Sequence, residues 1–393
     1  MKIKKVALGY WYQRTSLHLA EVNDFLLGEP SPLDLNQDKL KDLRNSLRIE
    51  SIKTDVDVLE RLDIVFDNGI SGRIYEDGLV LISKKHVELN SDIEALNRFF
   101  EDRFLPAVNY LFSLGAPVPK ELAGVSTPTP IFIVTDNATQ EEARHILTPL
   151  QPFFSEISDK NVHILKGGKY YLINILGDFD KDEHLLESLI FFKEFKAQLH
   201  HYLNLHRVLW EKIEDIKEKG SIKGKEVTPM RSQLEGYKKT VELIGGRIEQ
   251  MNLYIPTRAA IVNKNGWEKF LTGVLEFQYD NLDHNLAYIK SIWGMTTAFL
   301  DSAIQIFTEV SSLSTRDSVN ALTIISSIGV ISGVLGFLTA DKLPSVTHNG
   351  IVYFGLLLLG TIVVNRALRY IFQHVRYKIN DIKFVKITSD RHI

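Results

Sequence analysis

Apolar and polar positions change rhythm along this chain. Up to about residue 180, short β-rich runs at 6–12, 63–66, 79–83, 131–135 and 170–176 predict strands. Longer runs at helical spacing, 93–114 and 140–157, predict helices between them. Clusters of Pro, Gly and Thr at 116–130 mark a long connection. Strands and helices mixed in this way predict an α/β domain over 1–180. The start, Met1-Lys2-Ile3-Lys4-Lys5, is basic, but the apolar stretch after it is short and broken by Tyr10, Trp11 and Tyr12. It reads as a first strand, not a signal peptide, and the domain is expected to stay in the cytosol.

From 181 to 318 the rhythm becomes helical. One helix is predicted over 183–219 and another over 232–254, with a polar loop holding Gly220, Gly224 and Pro229 between them. No proline occurs between Pro256 and Pro344. Leu271, Leu275, Leu282, Leu286, Ile289, Trp293, Leu300, Ile304 and Phe307 repeat at spacings of 3, 4 or 7. A helix from Trp267 to the end of the next apolar run would be roughly 110 Å long. It reads as a stalk, with Gly294 as its weak point.

Two apolar runs follow. Residues 318–340 are 23 positions without a charge, and 343–365 are another 23 without Asp, Glu, Lys or Arg. About 20 apolar residues cross a bilayer, and backbone in hydrocarbon must satisfy its own hydrogen bonds, so an antiparallel helical hairpin is predicted. After it come Arg366, Arg369, Arg376, Lys378, Lys383, Lys386 and Arg391 against Asp381 and Asp390, seven cations less two acids, or +5. The loop has only Lys342 and Asp341. The positive-inside rule puts both termini in the cytoplasm of a multi-pass inner-membrane protein. The predicted division is a cytoplasmic α/β domain at 1–180, a helical stalk at 181–318, transmembrane helices at 319–340 and 350–372 around an external loop at 341–349, and a basic cytoplasmic tail at 373–393.

The second apolar run is rich in Leu and Ile, as suits contact with lipid. The first carries Ser326, Ser327, Gly329, Ser332, Gly333 and Gly336. Gly329, Gly333 and Gly336 stand at i, i+4 and i+7, a face that allows close helix packing. Asn320, Thr323 and Ser327 are read as a neighbouring polar stripe. Together they fit a helix lining a pore in a ring of identical copies, and equally fit ordinary helix packing.

Composition narrows the chemistry. With no cysteine, thiolate sites and disulfides are excluded. Gly220 to Lys225 (GSIKGK) has the wrong spacing for a phosphate loop. His200, His201 and His206 contain no i, i+4 pair. Glu141-Glu142 and Glu211/Asp215 read as solvated helix faces, and Asn137-Ala138-Thr139 would be a glycosylation sequon only in an exported chain. Nothing points to an enzyme, and a net charge of −3 gives no nucleic-acid footprint.

Four segments resemble the CorA magnesium transporters. His206-Arg207-Val208-Leu209-Trp210 is similar to that family's Arg-x-Leu-Trp, and Tyr279-Asp280-Asn281-Leu282-Asp283-His284 to its Asp-x-Tyr-Asp-His stretch. Leu322-Thr323-Ile324-Ile325 and Ser332-Gly333-Val334-Leu335-Gly336-Phe337 resemble the beginning and end of its first membrane helix. The resemblance covers about 180–375 by motif. It implies a homopentameric funnel in lipid, a pore lined by the first membrane helix, Mg2+ or another divalent cation as transported and regulatory ion, and a regulatory metal site at Asp280 with Asp283. On it, Asn320, Thr323 and Ser327 would line the pore, Gly333 and Gly336 would set packing, and Phe337 and Leu338 would form a hydrophobic constriction. The family's Gly-Met-Asn filter aligns with Gly336-Phe337-Leu338, which lacks the amide that meets a hydrated ion; Mg2+ sheds its waters reluctantly. Altered selectivity is therefore expected. Two alternatives stand beside it. One is a CorA-like CRISPR-defence effector opened by a nucleotide second messenger, which Lys84, Lys85, Lys166 and Lys169 would meet. The other is a membrane-tethered scaffold that conducts nothing.

Overall fold

The computed structural model of the chain describes residues 2–11, 18–30, 35–56, 58–111, 130–177, 182–217, 219, 221–264, 277–338 and 348–378. The predicted connection through 116–129, the helix start at Trp267, Asp341 and Lys342, and the tail beyond 378 lie outside these residues. The chain divides into two compact units, 1–205 with 243–292 and 206–242 with 293–393.

In the first unit, β1 (Lys2–Trp11) is followed by helices α1 (Leu19–Leu27) and α2 (Gln37–Leu47). An antiparallel run follows: β2 (Ile49–Val56), β3 (Glu60–Phe66), β4 (Ile70–Tyr75) and β5 (Leu79–Lys85). Then come α3 (Leu89–Phe99), a π-helical turn (Phe100–Phe104) and α4 (Leu105–Leu111). After the connection come β6 (Ile131–Asp136), α5 (Gln140–Leu147), β7 (Phe153–Ser158), β8 (Val162–Gly167), β9 (Tyr170–Ile175) and the long α6 (Asp182–Lys217). The nine strands form one mixed sheet in the order β2-β3-β4-β5-β1-β6-β9-β8-β7. Every neighbouring pair is antiparallel except β6 with β9.

Burial explains which strands the sequence announces. Ile131 to Val134 are buried on both sides of the sheet, as are Leu79 to Ile82, and such strands read as continuous apolar runs. One sheet face carries α1 to α4 through Val6, Leu8, Phe66, Leu96, Phe99 and Phe104. The other receives α6, where Trp11 meets Phe191 and Phe195 at ring centroids 6.0 and 5.5 Å away. Gly9 permits this approach: a Cβ there would stand 2.0 Å from Ile190 Cδ1.

The helix predicted over 140–157 is corrected. Thr139 caps α5, accepting from the Glu142 N–H at 3.2 Å while Glu142 accepts from the Thr139 N–H at 2.7 Å. The helix ends at Leu147, before Pro149 and Pro152, and 153–158 is strand β7. Proline disfavours helical geometry in itself and in the residue before it. Phe153, Ser155 and Ile157 are then part-buried while Phe154, Glu156 and Ser158 are exposed, the period of two that a strand imposes.

Where α6 and the helix α8 (Tyr254–Lys264) meet this unit's sheet, buried charges are paired. Arg258 donates through Nε and Nη2 to the two carboxylate oxygens of Asp77, each at 2.6 Å, with both residues under 5% exposed. Its guanidinium lies 4.7 Å from the Tyr75 ring centroid. Tyr75 Oη donates to Glu187 at 2.5 Å. Arg73 pairs with Asp63, Glu183 and Glu187. Burial pushes the Glu187 carboxyl up, but hydrogen bonds from His184 and Tyr75 and the Arg258 charge outweigh it and hold it below the usual range. Such a network specifies geometry because every member has a partner.

The second unit is built from the end of α6, the start of α7 (Gly224–Met251), the greater part of α9 (Phe277–Leu338) and α10 (His348–His374). A short ribbon joins β10 (Ser221–Lys223) to β11 (Arg376–Lys378). The predicted polar loop through Pro229 is corrected: α7 begins at Gly224 and contains Pro229 in its second turn, where the ring removes one backbone hydrogen bond. Trp210 stacks on Phe299 at 4.3 Å, Lys217 lies 4.2 Å from the same ring, and Lys238 pairs with Asp301 at 2.8 Å. α9 runs unbroken through Gly294 for 62 residues, roughly 90 Å.

Candidate functional site

α9 changes what it does with its apolar residues. Leu300, Ala303, Phe307 and Val310 follow a spacing of 3 and 4 and are buried. Beyond Leu313 the pattern of burial ends. Ile324 is 60% exposed and Val330 66%, and Leu322, Ile331, Val334 and Leu335 join them. α9 is long and apolar enough to cross a membrane, and none of its most apolar window is buried. Among the described residues this stretch is not a buried core helix of the single chain. An apolar surface of this extent marks contact with lipid or another protein, since each Leu, Ile or Val left in water forgoes about 1.5–3 kcal/mol. α10 likewise exposes Ile351, Leu356, Leu359, Ile362 and Val363.

From Asn320 to Ser332 the polar side chains of α9 are all short. Asn320, Thr323 and Ser327 are exposed. The Thr323 hydroxyl donates to the Val319 carbonyl at 2.9 Å, which satisfies it within its own helix. Asn320 sits one turn below Thr323 and one turn above Arg316 and Asp317. The amide and the hydroxyls offer hydrogen-bonding groups to a hydrated ion. At positions 329 and 333 the glycines open onto empty space: a Cβ at either would meet nothing within 4 Å. Gly336, Phe337 and Leu338 are the last residues of the helix.

The placement of the two stripes side by side is corrected by the helix itself. With about 3.6 residues per turn, the centres of Asn320/Thr323/Ser327 and of Gly329/Gly333/Gly336 lie roughly 150° apart. The polar and small-residue faces are nearly opposite, so a helix packing on its glycine face would keep its polar stripe turned away.

Other predicted residues do not gather here. Asp280 lies in the first turn of α9 and Asp283 is exposed one turn on. Among the described residues no group of three or more His, Cys, Asp or Glu is placed to hold a metal. His201 packs beside Tyr202, whereas His206 lies between Trp210 and Trp293 at ring centroids 5.7 and 6.2 Å away. Burial holds the His206 imidazole below its ordinary pKa, and its Nε2 has no hydrogen-bond partner among the described residues.

The four lysines predicted to meet a phosphate are dispersed. Lys84 pairs with Asp92 of α3 at 2.6 Å. Burial raises the Asp92 carboxyl, but Lys84, the Val87 N–H and His86 hold it low overall. Lys85 ends β5, exposed. Lys166 is half-buried on β8, held low by burial and by the charge of Lys196. Lys169 is exposed, 5.9 Å from the Tyr170 ring. The Asp77–Arg258 pair escaped sequence reading because its members stand 181 residues apart, and neither carries a local motif.

No protein-family model matches the chain, and no curated protein matches it.

Proposed function

We propose that the chain is a subunit of a CorA-like homo-oligomeric ion channel of the inner membrane, a pentamer by that resemblance, with α9 as the pore-lining span and α10 as the second. The observation that carries this reading is the upper part of α9: a continuous apolar helix, none of its most apolar window buried in the single chain, with one polar stripe and a small-residue face nearly opposite. A ring of copies would cover the small-residue face by helix packing and turn Asn320, Thr323 and Ser327 to the axis. The cation, Mg2+ or another, would keep its water shell past Asn320 and Ser327 and meet an apolar constriction at Leu338, which can gate by dewetting. Both termini would be cytoplasmic.

A second reading, opening by a bound nucleotide messenger, is favoured by the sequence Gly336-Phe337-Leu338 where a polar filter would stand. One experiment addresses both: flux from proteoliposomes carrying a magnesium dye and a potassium readout, with and without a small-molecule nucleotide extract. Flux without extract supports a constitutive channel, and flux only with extract supports the gated form. In either case Asn320→Leu with Ser327→Leu should abolish it. Tight liposomes under every condition would leave a non-conducting scaffold, and unchanged flux in the double variant would remove the stripe from the pore.

A further inference from the structure

The β10–β11 ribbon joins two parts of the chain that sequence order keeps far apart. Its register sets Ser221 opposite Lys378, Ile222 opposite Tyr377 and Lys223 opposite Arg376. The Gly224 N–H donates to the Val375 carbonyl at 3.1 Å and extends the pairing. Ile222 and Tyr377 are buried, so the alternation of the strands turns Lys223 and Arg376 to the opposite face. Directly opposed side chains in such a pair stand about 5 Å apart at Cβ, and like charges there are unfavourable. Arg376 is exposed and Lys223 half-buried; Lys225 and Arg366 are exposed nearby in sequence. Among the described residues none of these four cations has a carboxylate partner. The nearby acid Glu226 is taken up by the Lys223 backbone N–H at 3.4 Å.

The position of the ribbon identifies the missing counter-charge. Arg376 follows the end of α10 by a single residue. Exposed apolar side chains continue to that point through Tyr370, Ile371 and Val375. If α10 spans a bilayer to about residue 372, the ribbon begins four residues later, roughly 6 Å on, at the depth of the headgroups. We propose that the outer face of the ribbon is a binding surface for anionic phospholipid headgroups, with a phosphate seated between Lys223 and Arg376. This rests on the membrane reading of α9 and α10. Juxtamembrane cations are attracted to anionic leaflets, with an effect that fades within a Debye length; here the fold adds cations from residues 223–225 to those of the tail.

The test uses the full chain in detergent, titrated with phosphatidylglycerol or phosphatidylcholine and read by native mass spectrometry. The wild type should retain phosphatidylglycerol preferentially. Lys223→Gln with Arg376→Gln should weaken that retention about thirtyfold, on the scale of two surface cations, while Lys223→Arg with Arg376→Lys keeps it. Equal retention of both lipids by the wild type, or an unchanged preference in the Gln variant, would overturn the proposal. So would displacement of the lipid by inorganic phosphate at millimolar concentration, which would make the ribbon a site for free phosphate. Alkaline carbonate extraction separates the two levels: protein released from vesicles contradicts the membrane reading itself, whereas integral protein indifferent to headgroup charge contradicts the ribbon alone.

Discussion

The two parts of α9 within the second unit use the same residue types to opposite ends. Around Leu300 and Phe307 the apolar side chains are buried against this unit's other helices; around Ile324 and Val330 they are bare. Neither composition nor helix propensity separates the two parts. The difference is what surrounds them, and it teaches that apolar periodicity reports a helix face only where a protein partner exists. Polar groups show the same contrast between regions. In the sheet domain a buried charge such as Arg258 is fully paired, while Asn320 and Ser327 stand exposed on α9.

That contrast can be broken by applying like substitutions to both sides. Phe307→Ala should cost about 3–5 kcal/mol, the usual result of emptying a buried aromatic site. Val330→Ala should stay within about 0.5 kcal/mol, both read by denaturant unfolding in detergent micelles. Similar costs at the two positions would mean that the upper part of α9 has a buried protein environment in the isolated subunit. For the polar groups, Arg258→Ala leaves Asp77 charged and buried, at a cost of about 3–5 kcal/mol; Asn320→Leu should leave the melting temperature unchanged and act on flux instead. An Asn320→Leu protein that melts early would assign that amide a structural role.

A smaller effect concerns His206. Its folded-state pKa lies below the free value of about 6.5. As pH falls through 6.5 the unfolded chain takes up the proton first, so stability is full above that value and declines as pH drops towards the folded pKa. Thermal melts from pH 8 downward should show this decline, and His206→Phe should flatten it. A melting temperature that rises on mild acidification would reverse the sign and place a carboxylate beside the imidazole.

Much of this architecture is legible in the sequence, for identifiable reasons. Strands β5, β6 and β9 are buried on both faces and announce themselves as apolar runs. β2, at the sheet edge, reads Ile-Glu-Ser-Ile-Lys-Thr-Asp-Val and is mostly exposed, so it carries too little alternation to be seen. Residues 153–158 look helical until the two prolines before them are weighed. The candidate pore stripe was visible as residue types, but its true azimuth required counting turns along an unbroken helix. The Lys223–Arg376 juxtaposition depends on a strand pair spanning more than 150 residues, which no local pattern encodes.

The absence of cysteine makes the membrane position of α9 directly measurable. Single cysteines at Glu309, Val330 and Lys342 would be challenged in sealed inside-out and right-side-out vesicles with a water-soluble maleimide. Glu309→Cys should label only from the cytoplasmic side, Lys342→Cys only from the other, and Val330→Cys from neither. Rapid labelling of Val330→Cys together with access to Glu309→Cys and Lys342→Cys from one and the same side would contradict a membrane-spanning α9.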